Sequence, residues 1–208
     1  MYEKMIAVTN RHLCGEAVLG AEDDFRPGTV WYRAYLDQIG VIAASKPRAI
    51  VLREKDLSCE QYIRLAEEVL AVCRSCGTEL ILHNFTEAAE ALNYKKIHLP
   101  LAKLREMEGK TDGTAFYEKI GTSVHSLEDV SEAEKLGAGY VFAGNIYETD
   151  CKKGLPGRGI SFLEKVCRGC EIPVYAIGGI SLPRMPEVLK AGAAGGCMMS
   201  GFMKLKKS

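Results

Sequence analysis

The residues of this 208-residue chain best able to do chemistry fall at the ends of short apolar runs. His125 follows the run Lys119–Val124 and precedes Ser126 and Asp129, a pair suited to capping a helix. An imidazole in that position can reach a pocket, and a histidine side chain gives and takes protons near neutral pH. Arg53-Glu54-Lys55-Asp56 closes the run Arg48–Arg53, and strand alternation aims Arg53 and Lys55 to one side and Glu54 to the other. His83-Asn84 closes a third run. Two glycine loops, Ile177-Gly178-Gly179-Ile180 and Met199-Ser200-Gly201, leave backbone N–H groups open to an anion just before a helix start. A polar loop over 144–159 carries Glu148, Asp150, Lys152, Lys153 and Arg158. Any one charged strand end reads equally as a solvated rim. Their recurrence at the ends of successive strands points to a ligand, and the glycine loops to a phosphorylated one.

The remaining candidates carry less. His98 follows an apolar strand and precedes Leu99-Pro100, so it reads as structural, and nothing in the sequence gives His12 a role. The pairs Cys73-Arg-Ser-Cys76 and Cys167-Arg-Gly-Cys170 have metal-ligand spacing individually. The 90 residues between them greatly exceed the roughly 15–20 of a zinc ribbon. No metal site is expected there.

The elements that must position these residues alternate between strand and helix. Strands are expected at Met5–Thr9, Arg48–Arg53, Glu79–His83, Lys96–Leu99, Lys119–Val124, Gly139–Ala143, Pro173–Ile177 and Gly195–Met199. Helices lie between them: one carrying Trp31, Tyr35, Leu36 and Ile39 on a face, one opened by a Ser58/Gln61 capping box, then Thr86–Leu92, Leu101–Met107 and Leu127–Leu136. A further helix is expected to be capped by Ser161 and Glu164, and another to start at Pro183 and stop at Gly192. Eight strands with almost no hairpin signal favour an α/β fold, a compact single-domain (β/α)8 TIM barrel over 1–208 with a truncated final helix. In such barrels the site lies at the carboxyl ends of the strands, with phosphate bound between the last two loops.

Composition agrees with a globular protein of this kind: 27 Lys+Arg balance 27 Asp+Glu, 47% of residues are hydrophobic and 26% charged. The balance argues against a nucleic-acid partner. No apolar run approaches the roughly 20 residues of a membrane span, and the start reads as a strand rather than a signal peptide. A cytosolic protein with reduced thiols is expected. The short segment after the last strand leaves the outside of the eighth and first strands thinly covered, which predicts a homo-oligomer, a dimer.

At these residues the chain resembles the thiamine phosphate synthase superfamily, which includes the TenI-type thiazole tautomerases. The resemblance rests on Leu52-Arg-Glu-Lys-Asp-Leu-Ser58, Asn84, Ile177-Gly-Gly-Ile180 and Ser200-Gly201, and runs from the first strand to Gly201 except around residues 10–30. It implies a compact barrel binding a thiazole phosphate through Gly178, Gly179, Met199, Ser200 and Gly201, with Arg53, Lys55, Asn84 and Lys152 as further ligand contacts. The synthase branch holds magnesium through carboxylates in an Asn-Asp pair after strand three and in a His-Leu-Gly-Gln-x-Asp stretch after strand four. Here those stretches read Asn84-Phe85 and His98-Leu-Pro-Leu-Ala-Lys103. Meanwhile Ser123–Glu128 and Tyr147–Gly159 are similar to the tautomerase branch, which implies His125 as the proton-transfer residue of an isomerase needing no metal or other cofactor. The expected activity is therefore aromatisation of a thiazole carboxylate phosphate. Two alternatives stay open: a magnesium-dependent thiamine phosphate synthase, and a non-catalytic protein that binds a thiazole or thiamin phosphate.

Overall fold

The computed structural model describes residues 2–14, 25–108, 113–149, 154 and 156–207. Eight parallel strands close into a barrel in chain order, the expected (β/α)8 architecture. The chain divides into two compact units, Met1–Asn93 with Met199–Ser208, and Tyr94–Met198.

The first unit contains β1 (Met5–Val8), α1 (Val30–Ala44), β2 (Ala49–Leu52), α2 (Cys59–Cys76), β3 (Leu80–His83), α3 (Thr86–Ala91) and, after the second unit in sequence, α8 (Ser200–Met203). All residues of β1, β2 and β3 are buried. That explains why these strands read as unbroken apolar runs, since parallel strands are covered on both faces. Ile6 pairs with Ala49 and Ile50 with Leu80. α2 begins at the anticipated capping box: the Ser58 hydroxyl accepts from the Gln61 N–H at 3.2 Å, and the Gln61 side chain accepts from the Ser58 N–H at 2.9 Å. Tyr62, Leu65, Ala66, Val69, Leu70 and Cys73 form its buried stripe, and Gly77 ends it in the left-handed region at φ 65°. α8 is a single turn with Phe202 and Met203 buried. The Gln38 amide of α1 donates to the carbonyls of Phe202 (2.8 Å) and Leu205 (3.0 Å), laying the C-terminal segment along α1.

The second unit contains β4 (Lys96–Pro100), α4 (Leu101–Met107), β5 (Lys119–Val124), α5 (Leu127–Lys135), β6 (Tyr140–Gly144), α6 (Ile160–Arg168), β7 (Val174–Ile177), α7 (Met185–Lys190) and β8 (Gly195–Met198). His98 pairs with Gly121, and Ser123 with Phe142. A Cβ at Gly121 would fall 1.9 Å from the Tyr140 ring, so glycine makes room for the aromatic layer of His98, Tyr140 and Phe142. Ser126 caps α5 as expected, its hydroxyl accepting from the Asp129 N–H at 3.0 Å. Two helix starts differ from expectation. α6 opens at Gly159 with no side-chain cap, leaving Ser161 inside the helix, and Pro183 lies in a 3-10 turn (Leu182–Arg184) that precedes α7.

Candidate active site

The end of β2 carries the charged quartet. Glu54 turns inward and is 2% exposed. Its carboxylate accepts from the Thr9 hydroxyl (2.7 Å), the Tyr35 hydroxyl (2.9 Å) and the Arg11 N–H (3.0 Å). Burial pushes its pKa up, against the pull of these donors and of the Arg11 charge. Asp56 is held by both terminal nitrogens of Arg11 (2.5 and 2.7 Å), and His12 Nε2 lies 2.8 Å from it. These contacts, the Arg11 bonds above all, depress the Asp56 carboxyl well below the usual range. Arg53 is half-buried and Lys55 exposed, and neither has an acidic partner among the described residues. Although the residue as a whole is exposed, desolvation of its amine, and then the neighbouring Arg53 charge, lowers the Lys55 pKa. The strand expected to carry this alternation ends at Leu52, so the quartet lies beyond it, with Glu54 buried, Arg53 half-buried and Lys55 exposed.

Tyr62 of α2 ties the ends of β2 and β3 together. Its hydroxyl donates to the Leu52 carbonyl at 2.7 Å and accepts from the His83 N–H at 2.8 Å. Beyond it, Asn84 occupies the centre of a three-residue turn closed by the Phe85 N–H on the His83 carbonyl (2.9 Å), at φ 69°. Asparagine is among the few side chains that tolerate that conformation. In the same unit Met199 is half-buried, with the Asn10 amide 3.8 Å from its sulfur, while Ser200 and Gly201 are exposed at the start of α8.

In the second unit His125 stands at the end of β5. Its backbone N–H donates to Asp129 at 2.6 Å, and its Nδ1 lies 2.6 Å from the Gly144 carbonyl oxygen. A carbonyl can only accept, so Nδ1 bears a proton and donates to it. Two residues earlier, the Ser123 hydroxyl lies 3.0 Å from Nε2 of His98. His98 itself is buried, stacked on Phe142 with ring centroids 4.1 Å apart, in keeping with a structural role. Gly178 follows β7 at φ 95°, and a Cβ there would lie 2.5 Å from that of Asn145. Arg184 braces this turn by donating to the Gly179 carbonyl (2.5 Å) while its guanidinium covers the Tyr147 ring at 4.2 Å. Lys152 lies outside the described residues.

Sequence reasoning missed Thr9, Arg11, Tyr35 and Ser123. The first three meet Glu54 and Asp56 across 19 to 45 positions of chain, with no local pattern to announce it. At the positions that the family resemblance assigns to magnesium carboxylates, Phe85 stacks on Tyr62 with centroids 4.4 Å apart and Lys103 supplies an amine. Among the described residues no three His, Cys, Asp or Glu side chains gather into a metal-holding group. Magnesium takes oxygen ligands, so this donor set does not fit it. Burial raises the Cys73 thiol to about 12 and those of Cys167 and Cys170 to about 11, which keeps these three thiols protonated at neutral pH.

A family model described as thiamine monophosphate synthase (TMP-TENI) matches residues 26–202. A thiamine-phosphate synthase of Thermus thermophilus is 32% identical over 170 residues, covering 81% of this chain and 80% of that protein. One from Clostridium acetobutylicum is 31% identical over 163 residues, covering 76% and 74%. A putative thiamine-phosphate synthase 2 of Aquifex aeolicus is 31% identical, covering 82% and 90%. In fold, the chain is similar to thiamine phosphate pyrophosphorylase from Pyrococcus furiosus, with a TM-score of 0.76 at 24% identity, over 99% of this chain and 90% of that one.

The expected isomerase activity is overturned by these relatives, which carry the name of a transferase. That expectation rested on two short stretches, Ser123–Glu128 and Tyr147–Gly159, and on two missing carboxylates. Against these few positions, the likeness to synthases extends over most of the chain. The chain belongs to the thiamine monophosphate synthase family.

Proposed function

We propose that the protein is a thiamine-phosphate synthase, joining a pyrimidine methyl pyrophosphate to a thiazole phosphate. The observation that carries this reading is the likeness to proteins of that name over four-fifths of the chain. In the transfer, the thiazole nitrogen forms a bond to the pyrimidine methylene carbon. The bond from that carbon to the pyrophosphate oxygen breaks, and pyrophosphate leaves with the electron pair. A residue set for this reaction must neutralise a multiply charged leaving group and hold a second phosphate.

Arg53 and Lys55, two cations without acidic partners among the described residues, suit the pyrophosphate. Gly178 and Gly179 in one unit, and Met199, Ser200 and Gly201 in the other, are assigned to the thiazole phosphate by the family resemblance alone. Asn84 offers an amide to either substrate, and Lys152 is assigned to the phosphates by resemblance alone. His125 is a ring-contacting residue in this account, since the transfer moves no proton on the thiazole. Because Phe85 and Lys103 do not fit magnesium, no step here is routed through it.

The experiment is pyrophosphate release followed with both substrates, with each alone, and in parallel arms containing Mg²⁺ or EDTA. Release that requires the thiazole phosphate supports the synthase. Absence of release in every arm contradicts it. We also infer a homodimer, on the support of a groove of the first unit that runs beside the C-terminal segment and is lined by Leu36, Val41 and Leu205 together with the charged Asp37, Lys206 and Lys207.

A further inference from the structure

The quartet Arg53-Glu54-Lys55-Asp56 is neutral in sequence but not in what it leaves available. Both acids are engaged from the β1 side. Glu54 is closed off by Thr9, Tyr35 and the Arg11 N–H, and Asp56 is clamped by the Arg11 guanidinium. Arg11 is itself fixed, its guanidinium 5.2 Å from the centroid of Phe25 and 5.5 Å from that of Trp31. The fully buried Thr9 does two things at once: its hydroxyl donates to Glu54 and accepts from the Arg53 N–H at 2.9 Å. That bond fixes the backbone from which the Arg53 side chain departs. Without the clamp, the Asp56 carboxylate, one residue from Lys55, would be drawn to it, and the pair would cancel.

We propose that Thr9 and Arg11 are positioning residues for anion binding: Thr9 sets the direction of Arg53, and Arg11 withholds Asp56 from Lys55, so that the ligand meets two uncompensated cations. The inference rests on the reading that Arg53 and Lys55 bind the pyrophosphate of the substrate.

Inorganic pyrophosphate is the probe, its binding measured by titration calorimetry in EDTA at constant ionic strength, with a melting curve for each variant. Thr9→Val and Arg11→Met are expected to weaken binding about tenfold or more, the usual scale for losing an outer partner of a binding group. Thr9→Ser keeps the hydroxyl and stays within about threefold of wild type. Adding Asp56→Asn to Arg11→Met removes the competing carboxylate and restores affinity, which a merely structural role of Arg11 would not allow. Should Thr9→Val fail to melt cooperatively, the Arg11 pair carries the test. Wild-type affinity in Thr9→Val and Arg11→Met, or no rescue by Asp56→Asn, overturns the inference while leaving Arg53 and Lys55 as ligands. If Arg53→Ala and Lys55→Ala bind pyrophosphate as wild type does, the underlying reading fails and the inference with it.

Discussion

Nδ1–H of His125 donates to the Gly144 carbonyl, which fixes the ring's orientation and serves proton transfer and ring binding equally well. The two roles separate on substitution. If the ring only contacts substrate, His125→Gln keeps turnover within about tenfold of wild type, whereas loss of a general acid–base would cost roughly 10²–10⁴-fold. Steady-state kinetics of thiamine phosphate formation decides it. The Arg11 clamp makes a second prediction. Asp56, depressed by its bonds to Arg11, contributes stability above its ordinary pKa of about 3.9 and loses it as pH falls. Glu54, raised by burial, has the opposite sign: its contribution is present at acid pH and fades as pH rises through its folded value. Arg11→Met returns Asp56 toward its ordinary pKa and raises Glu54 further, and both changes flatten the acid limb. The urea midpoint should therefore drop less between about pH 6 and pH 3.5 in Arg11→Met than in wild type. Because Asp56 is half-exposed, the difference is modest. At this scale the sequence revealed the charged quartet at the end of β2. It hid the partners of Glu54, because hydrogen bonds across 45 positions leave no local trace.

Helix starts are legible when a side chain caps them and opaque when the backbone does. Ser58 with Gln61 and Ser126 with Asp129 announce α2 and α5 by spacing alone, and both caps form. Ser161 with Glu164 has similar spacing, yet α6 starts at Gly159, whose φ of 79° suits the chain's entry into the helix better than any side chain. The capping box also positions chemistry, because α2 delivers Tyr62 to the ends of β2 and β3. Ser58→Ala is expected to cost about 1 kcal/mol of unfolding free energy, read by urea denaturation, with little change in ligand affinity. An equal loss in both would mean that the start of α2 contributes directly to the site.

The closed barrel was readable from eight strand–helix alternations, since parallel strands need crossovers and crossovers leave a period. The activity was not, because a fold hosts many chemistries and the two substituted metal positions, Phe85 and Lys103, argue against the ligand set of the very family the chain belongs to. Among the described residues no helix is long and apolar enough to cross a membrane. Light scattering at micromolar concentration is expected to give twice the 22.8 kDa chain mass, and a monomeric mass would remove the inferred dimer. The most direct test of the central claim is mass-spectrometric detection of thiamine phosphate after incubating the purified protein with both substrates. The account predicts thiamine phosphate and pyrophosphate in equal amounts, each lost when either substrate is omitted. Pyrophosphate without thiamine phosphate, or neither product, would contradict it.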